Sequence, residues 1–398
     1  MSPFQSVLLP TAVVLGELSL VYVIGCIVAT VRWHRTVTRD KPSVPRGDVI
    51  WPSVAVLKPL CGHEPDLATN LTTFCVQTYP RFEVLMGTRE ANDPAVPIAL
   101  DAASRNAVTA RVVVGGRSLG PNQKVNTLAH LGRHTSADVV VIADSDVRVD
   151  PRYLMAIVEP LLDPSVGVVT CLYRGTPTGS LWSRFGALAI NEWFMPSVLV
   201  SRAIGSETYC SGSTMAMRRE VLDAIGGFEA LAPLLADDHE LGKRIRGLGL
   251  RSVVSQYEVE TTVDEPTLGT LVEHELRWMR TIRTVQPLGH LCSVVTYTLP
   301  MTLLAALIGH SHPALWSLPM LAFTARLALH WIVMQRPLHA GEPNRGGLAT
   351  MWLIPFRDLL SFGIWVASFA NRRVVWRRQA MYVQSDGVLH GAEEVLPA

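Results

Sequence analysis

Between Val7 and Val31 the chain carries one ionisable side chain, Glu17. That run exceeds the ~20 apolar residues needed to cross a bilayer. Inside hydrocarbon an isolated segment must satisfy its own backbone polar groups, which a helix does and an open strand does not. A transmembrane helix is therefore expected at the N-terminus. A cleaved signal peptide is the alternative. It is disfavoured by the length of the run, the lack of a basic residue ahead of it, and the Arg32, His34, Arg35, Arg39 and Lys41 that follow. That basic flank places the succeeding chain in the cytoplasm. Of the 398 residues, 48% are hydrophobic and 17% charged, with a formal net charge of +1. This balance suits a protein partly resident in a lipid bilayer and argues against nucleic acid as a partner.

The chain is long enough for a core domain of roughly 200 to 250 residues with further elements around it. Its six cysteines form no Cys-x-x-Cys pair, so neither a zinc site nor a disulfide framework is indicated. Asn70-Leu71-Thr72 is a glycosylation triplet that a cytoplasmic domain would leave unused. Pro42, Pro45, Gly47 and Pro52 mark residues 39–52 as the linker out of the membrane. Beyond it, apolar runs at 54–57, 82–87, 110–114, 139–143 and 166–171 alternate with helix-length stretches at 66–77, 97–105, 122–131 and 151–162. Strands alternating with helices imply an α/β domain with a mostly parallel sheet covered on both faces.

The expected organisation is a transmembrane helix with its basic flank over 1–38, the linker, a cytoplasmic α/β domain over 53–265, an interfacial helix over 266–287 and a membrane region over 288–398. In the interfacial helix Leu276, Met279 and Ile282 run beside Arg277, Arg280 and Arg283, which suits a membrane surface. Two apolar segments between Leu288 and Met334 are separated by a turn at 310–313. The last segment, 349–370, is interrupted by Arg357-Asp358. A full crossing there would set Arg372, Arg373, Arg377 and Arg378 outside, against the positive-inside tendency, so it is read as re-entrant or interfacial. Residues 181–204 carry too many apolar side chains for a solvent-facing helix. They are either a core helix or a segment touching membrane lipid, with Trp182, Trp193 and Phe194 at the boundary.

Asp144-Ser145-Asp146 directly follows the β-branched run Val139–Ala143. The carboxyl end of a strand is where open α/β sheets hold ligands, and carboxylates one residue apart can both reach a hard divalent cation, which neutralises phosphates. Four further clusters accompany it: Lys58-Pro59-Leu60-Cys61-Gly62-His63-Glu64, Asn92-Asp93-Pro94-Ala95, Pro121-Asn122-Gln123-Lys124-Val125-Asn126 and Ala236-Asp237-Asp238. Each alone also reads as a turn or a cap.

Taken together, these clusters make the chain resemble the inverting glycosyltransferases of the GT-A fold, which carry three separated aspartate motifs and a later (Gln/Arg)-x-x-Arg-Trp. Asp93, Asp144-Ser145-Asp146, Asp238 and His274-Glu275-Leu276-Arg277-Trp278 match them in order. His274 stands where the pattern has Gln or Arg, while Arg277 and Trp278 keep the match. Residues 54–287 look most like the ceramide glucosyltransferase branch, on Lys58-Pro59-Leu60, Asn70 to Phe74, Tyr79-Pro80, Asp93-Pro94-Ala95 and the Lys124 segment. Residues 143–149, 169–175 and 274–286 are similar to its bacterial hopanoid-associated relatives.

The resemblance implies transfer of N-acetylglucosamine from a UDP-sugar to bacteriohopanetetrol, at the bacterial inner membrane, by a multi-pass protein with Mg2+ or Mn2+ as cofactor. The alternative is glucose transfer to ceramide or another lipid, and a nonreactive membrane scaffold is a third reading. On this view Asp146 with Asp144 holds the cation. Lys58, Pro59, Glu64, Asp93, Lys124, Asp144, His274, Arg277 and Trp278 face the donor, Asp238 is the general base, and Asp237 orients the loop or a sugar hydroxyl.

Overall fold

The computed structural model describes residues 3–39, 50–105, 110–206, 210–335, 350–371, 373–376, 379–383 and 389–391. Most of the expected linker, at 40–49, lies outside them, as do Arg372, Arg377 and Arg378. The chain divides into two compact units. One comprises Thr36–Thr178, Ser206–Asp264 and Gly387–Ala398; the other comprises Met1–Arg35, Gly179–Gly205 and Glu265–Asp386.

The first unit is built on eight strands: β1 (Val54–Pro59), β2 (Phe82–Thr88), β3 (Ala110–Val114), β4 (Val139–Ala143), β5 (Val147–Arg148), β6 (Val166–Pro177), β7 (Thr214–Arg218) and β8 (Arg251–Val263). They form one sheet in the order β3-β2-β1-β4-β7-β6-β8-β5. All five apolar runs singled out in the sequence are strands, and β3, β2, β1 and β4 pair in parallel, as do β6 and β8. Two strands turn the sheet into a mixed one. β7 inserts antiparallel between β4 and β6, and β5 runs antiparallel along β8.

Strand periodicity assigns each side chain to one of two cores. Val54, Val56, Val139 and Val141 face a layer with Leu71, Phe74, Ala99 and Tyr153. Ala55, Leu57, Val140 and Ile142 face a second layer with Val125, Leu128, Leu131, Phe228 and Ile245. Burial on both faces explains why these strands read as unbroken apolar runs and not as alternating ones. Because β1, β2 and β4 are parallel, the segments that leave their carboxyl ends emerge at one edge of the sheet. Antiparallel β7 brings the segment before it, residues 210–213, to the same edge.

The second unit is helical. Helix Pro3–Arg39 buries Ala12, Ser19, Val23, Cys26, Thr30 and Trp33, a stripe of mostly small residues at three- and four-residue spacing, while Val14, Leu18, Val21, Ile24 and Val28 stay exposed. Among the described residues two helices are long and apolar enough to cross a membrane, Val7–Val37 and Pro313–Met334. The pair Pro287–Thr296 and Thr298–Ile308, bent by 69°, makes a third if counted as one span. Helix Ile354–Ser368 has 15 residues, about 22 Å at ~1.5 Å per residue and short of the ~30 Å hydrocarbon core. Its Arg357-Asp358 step does not face lipid. Arg357 pairs with Glu275 at 2.5 Å, Asp358 receives both ends of the Arg326 guanidinium at 2.9 Å, and Arg326 also donates to the Glu192 carbonyl at 3.2 Å. Glu192 bonds His330 as well and sits in a π-helical turn, Ile190–Phe194, between helices Leu181–Ala189 and Met195–Ala203. Trp193, one of the residues considered for a lipid boundary, is half-buried, donates to Thr296 at 2.9 Å and stacks on Tyr297.

Gly120 approaches a backbone so closely that a Cβ there would lie 2.5 Å from the Ala232 carbonyl oxygen. Gly120→Ala is therefore expected to destabilise the sheet unit by about 1–3 kcal/mol, the usual cost of overpacking. Denaturant titration of purified protein checks this, and an unchanged midpoint would refute it.

Candidate active site

The site is assembled at the sheet edge where β1, β2 and β4 end. Lys58, on β1, is completely buried, lies 3.9 Å from the centre of the Phe74 ring and donates to the Asp144 backbone carbonyl at 2.5 Å. Burial pushes its ammonium down to about 7, against the pull of Asp146 and Asp144. Expected at the donor, Lys58 instead props the Asp144 backbone from beneath. Pro59 ends β1 beside Gly87 of β2. Gly62 then takes a left-handed turn (φ 75°) that glycine adopts without strain. Its N–H donates to Asp93 at 2.9 and 3.1 Å, and Asp93 also accepts from Ala95 N–H at 2.8 Å. Asp93 thus ties the post-β1 segment to the start of helix Ala95–Ser104. Glu64, in that segment, has one carboxylate oxygen buried with no hydrogen-bond partner.

Lys124 is the hub. The Asn122 side chain accepts from Val125 N–H and caps helix Gln123–Gly132, setting Lys124 in its first turn. From there the ammonium pairs with Asp144 Oδ1 at 2.6 Å and donates to the Gly212 carbonyl at 3.2 Å. Burial opposes its charge, but Asp144 and Asp237 overcome that and raise its pKa. Asn122 also donates from Nδ2 to Asp237 Oδ1 at 3.3 Å and to the Leu234 carbonyl at 2.8 Å. Asp238 accepts from His239 N–H at 2.7 Å and from the Gly212 N–H, and a Cβ at Gly212 would lie 2.9 Å from its Oδ2.

The carboxylates behave as one electrostatic group. Burial, then Asp144, raises Asp146 to about 6, while the Thr261 hydroxyl donates to its Oδ2 at 2.7 Å. Burial likewise raises Asp237 and Asp238, with Lys124 opposing in both cases. Each holds its proton more tightly folded than unfolded, so ionising them costs folding free energy as the pH rises out of the acid range. A cation at this edge would recover that cost. Asp144 and Asp146 offer hard oxygen ligands, which fit a divalent ion. Among the described residues no three His, Cys, Asp or Glu side chains converge to hold a metal, so further ligands would be diphosphate and water oxygens, as magnesium-type sites arrange them.

His274, Arg277 and Trp278 lie in the helical unit, on helix Leu268–Val285. There the His274 ring bonds Glu265 Oε1 through Nδ1 at 2.7 Å and lies 4.4 Å from the Trp278 ring. Sequence reading passed over Thr261 on β8 and the Ser211-Gly212-Ser213 turn that packs on Asp238. A serine–glycine–serine step before a strand is a local turn signal that would have found the latter.

Comparison with known proteins adds to this geometry. The pattern of glycosyl transferase family 21 matches residues 17–389. Ceramide glucosyltransferase 1 of Caenorhabditis elegans is 24% identical over 388 residues, 94% of this chain and 79% of that protein. The ceramide glucosyltransferase of Pyricularia oryzae is 21% identical, covering 85% and 83%. Among solved structures, a mannosyltransferase of Pyrobaculum calidifontis in complex with GDP-Man and Mn2+ superposes with a TM-score of 0.50 at 18% identity, covering 89% of this chain and 98% of that one. The fold is GT-A.

Replacing Lys124 by Met leaves Asp144 without its partner and the nearby carboxylates less compensated. Lys124→Met is expected to cost about 3 kcal/mol of stability, the scale for breaking a buried pair. Thermal melting with and without Mn2+ tests this: the cation should restore part of the loss, and an unshifted melting point would refute the hub role.

Proposed function

Because the chain belongs to glycosyl transferase family 21, we propose that it transfers glucose from UDP-glucose to the hydroxyl of a membrane lipid of ceramide type, with inversion at the anomeric carbon. One observation carries the reading: Asp144, Asp146, Lys124, Asp237 and Asp238 converge at the sheet edge where GT-A proteins place their chemistry. The narrower expectation of N-acetylglucosamine and bacteriohopanetetrol gains no support from the relatives, which are ceramide glucosyltransferases. The alternative of lipid glucosylation fits them better.

In the proposed mechanism the acceptor oxygen attacks the anomeric carbon as the bond to the UDP β-phosphate oxygen breaks. Attack from the opposite face inverts the configuration, and Asp238 takes the hydroxyl proton. Its raised proton affinity suits a base working near neutrality. Asp144 and Asp146 would hold a divalent cation, which when bound supplies Lewis-acid stabilisation of the leaving diphosphate. Lys124 holds Asp144 oriented through their 2.6 Å ion pair. Asp237, held by Asn122, orients a sugar hydroxyl, and Asp93 holds the post-β1 segment against which the nucleoside would sit. Arg277 and Trp278 belong to the same reaction as the donor-side motif. The long apolar helices and the basic flank at Arg32 and Arg35 support a multi-pass membrane protein with catalysis on the cytoplasmic side.

Asp238→Asn is expected to lower turnover by about 100- to 10,000-fold while leaving UDP-glucose affinity within about twofold. Wild-type turnover in that variant would remove Asp238 from the base role. Asp146→Ala should abolish the strengthening of UDP-glucose binding by Mn2+, measured calorimetrically, and retained metal dependence would argue against its ligand role. Mass spectrometry of lipids after incubation with UDP-glucose, UDP-N-acetylglucosamine, ceramide and hopanoid acceptors decides the substrate. A hexosylceramide is expected, and a hexosamine-bearing hopanoid would overturn the choice.

A further inference from the structure

Leu271, Glu275 and Met279 form the buried face of helix Leu268–Val285 at four-residue spacing, so Glu275 is a carboxylate in an otherwise apolar row. It is 4% exposed, and its partner Arg357, on helix Ile354–Ser368, is 3% exposed. The pair closes at 2.5 Å, yet Glu275 Oε1 and Arg357 Nε and Nη1 are buried with no hydrogen-bond partner. Two ions withdrawn from water are repaid only when their remaining donors and acceptors are also satisfied, and an apolar pair of similar volume is often at least as stable. Stability is therefore a poor account of this pair. Direction is a better one, because an apolar seam tolerates a small rotation or slip whereas a single buried charge pair specifies register.

We propose that Glu275–Arg357 is a positioning pair that sets the rotation of helix Leu268–Val285 about its axis and so aims Arg277 and Trp278. These lie two and three residues beyond Glu275, about 200° and 300° around the helix; Arg277 is on the side opposite the buried row, Trp278 flanks that row beside Leu271, and both are half-buried. The helix is held elsewhere too. His274, next to Glu275, is bonded to Glu265, whose backbone N–H donates to the Ser183 hydroxyl at 2.8 Å, and near the C-terminal end Arg283 donates to the carbonyls of Ser368 at 2.5 Å and Asn371 at 2.7 Å. Of these contacts the Glu275–Arg357 pair is the one made from the buried row itself. This inference rests on the reading that Arg277 and Trp278 serve the donor.

The test uses the full chain in lipid nanodiscs, with UDP-glucose as donor, and reads the melting temperature together with kcat and KM. The apolar double variant Glu275→Met with Arg357→Met is expected to melt at or above the wild-type temperature, yet to lose about 10- to 100-fold in kcat/KM for UDP-glucose, the scale of an ångström-size misplacement, with the lipid KM unchanged. The exchanged pair, Glu275→Arg with Arg357→Glu, should recover at least tenfold over either single change. Wild-type donor kinetics in the apolar double variant, or a folded exchanged pair no better than the single changes, would overturn the proposal. Arg277→Ala separates the two ideas. If it leaves donor kinetics untouched, the reading beneath falls and this inference with it; if it is impaired while the apolar double variant is not, only the positioning role falls.

Discussion

The 2.6 Å pair between Lys124 and Asp144 is the contact on which the sheet-edge site depends. Burial first, and neighbouring carboxylates second, raise the proton affinity of Asp146, Asp237 and Asp238, with Lys124 opposing the rise at Asp237 and Asp238. Lys124 is held to that task by two restraints, the Asn122 cap that begins its helix and the Gly212 carbonyl that shares its ammonium. Gly120 and Gly212 let backbone and carboxylate come close enough for the arrangement to close. On the proposed function a donor diphosphate would add negative charge here, which a divalent cation would balance.

The helical unit meets the same physical problem among apolar helices. Glu192, Arg326, His330, Glu275, Arg357 and Asp358 are all nearly inaccessible, and each faces another charged or polar group of the protein. Ionisable groups within apolar helices are costly unless turned inward and paired, and that pairing draws separate segments together: Arg326 alone links helix Ser317–Met334 to the π-turn of Glu192 and to Asp358. The adjacent residues Arg357 and Asp358 serve different partners, so one step of chain joins two ion networks. What looks in the sequence like an interruption of a hydrophobic segment is a point of attachment.

Much of the sheet was legible because strands buried on both faces need unbroken apolar residues, as at Val54–Leu57 and Val139–Ala143. β7 and β8 were not. Thr214–Arg218 has no β-branched run, and Arg251–Val263 mixes Ser252, Ser255, Glu258 and Glu260 among its apolar residues, polar side chains that only their neighbours in the fold make tolerable. For the site, the aspartate spacing pointed to the right edge of the sheet but not to the state of each group. Lys58 looks like a donor contact as a residue after an apolar run, and is a buried prop beneath Asp144 once β4 lies beside β1.

The sequence alone determined the kinds of element and the chemistry within reach. Residue periodicity dictates helix or strand, an apolar stretch beyond the bilayer thickness dictates a helix long enough to cross one, and carboxylates after strands dictate a cation-compatible edge. The tertiary structure decided which charges meet. The partner of Lys124 is set by the register of β4 and by the reversed β7, the partner of Glu275 lies 82 positions further along the chain, and the direction of β7 itself is set by pairing with β4 and β6. The physical reason is that propensity and periodicity act within a few residues, whereas an ion pair needs two side chains from distant segments within a few ångströms, and only the packed fold supplies that distance.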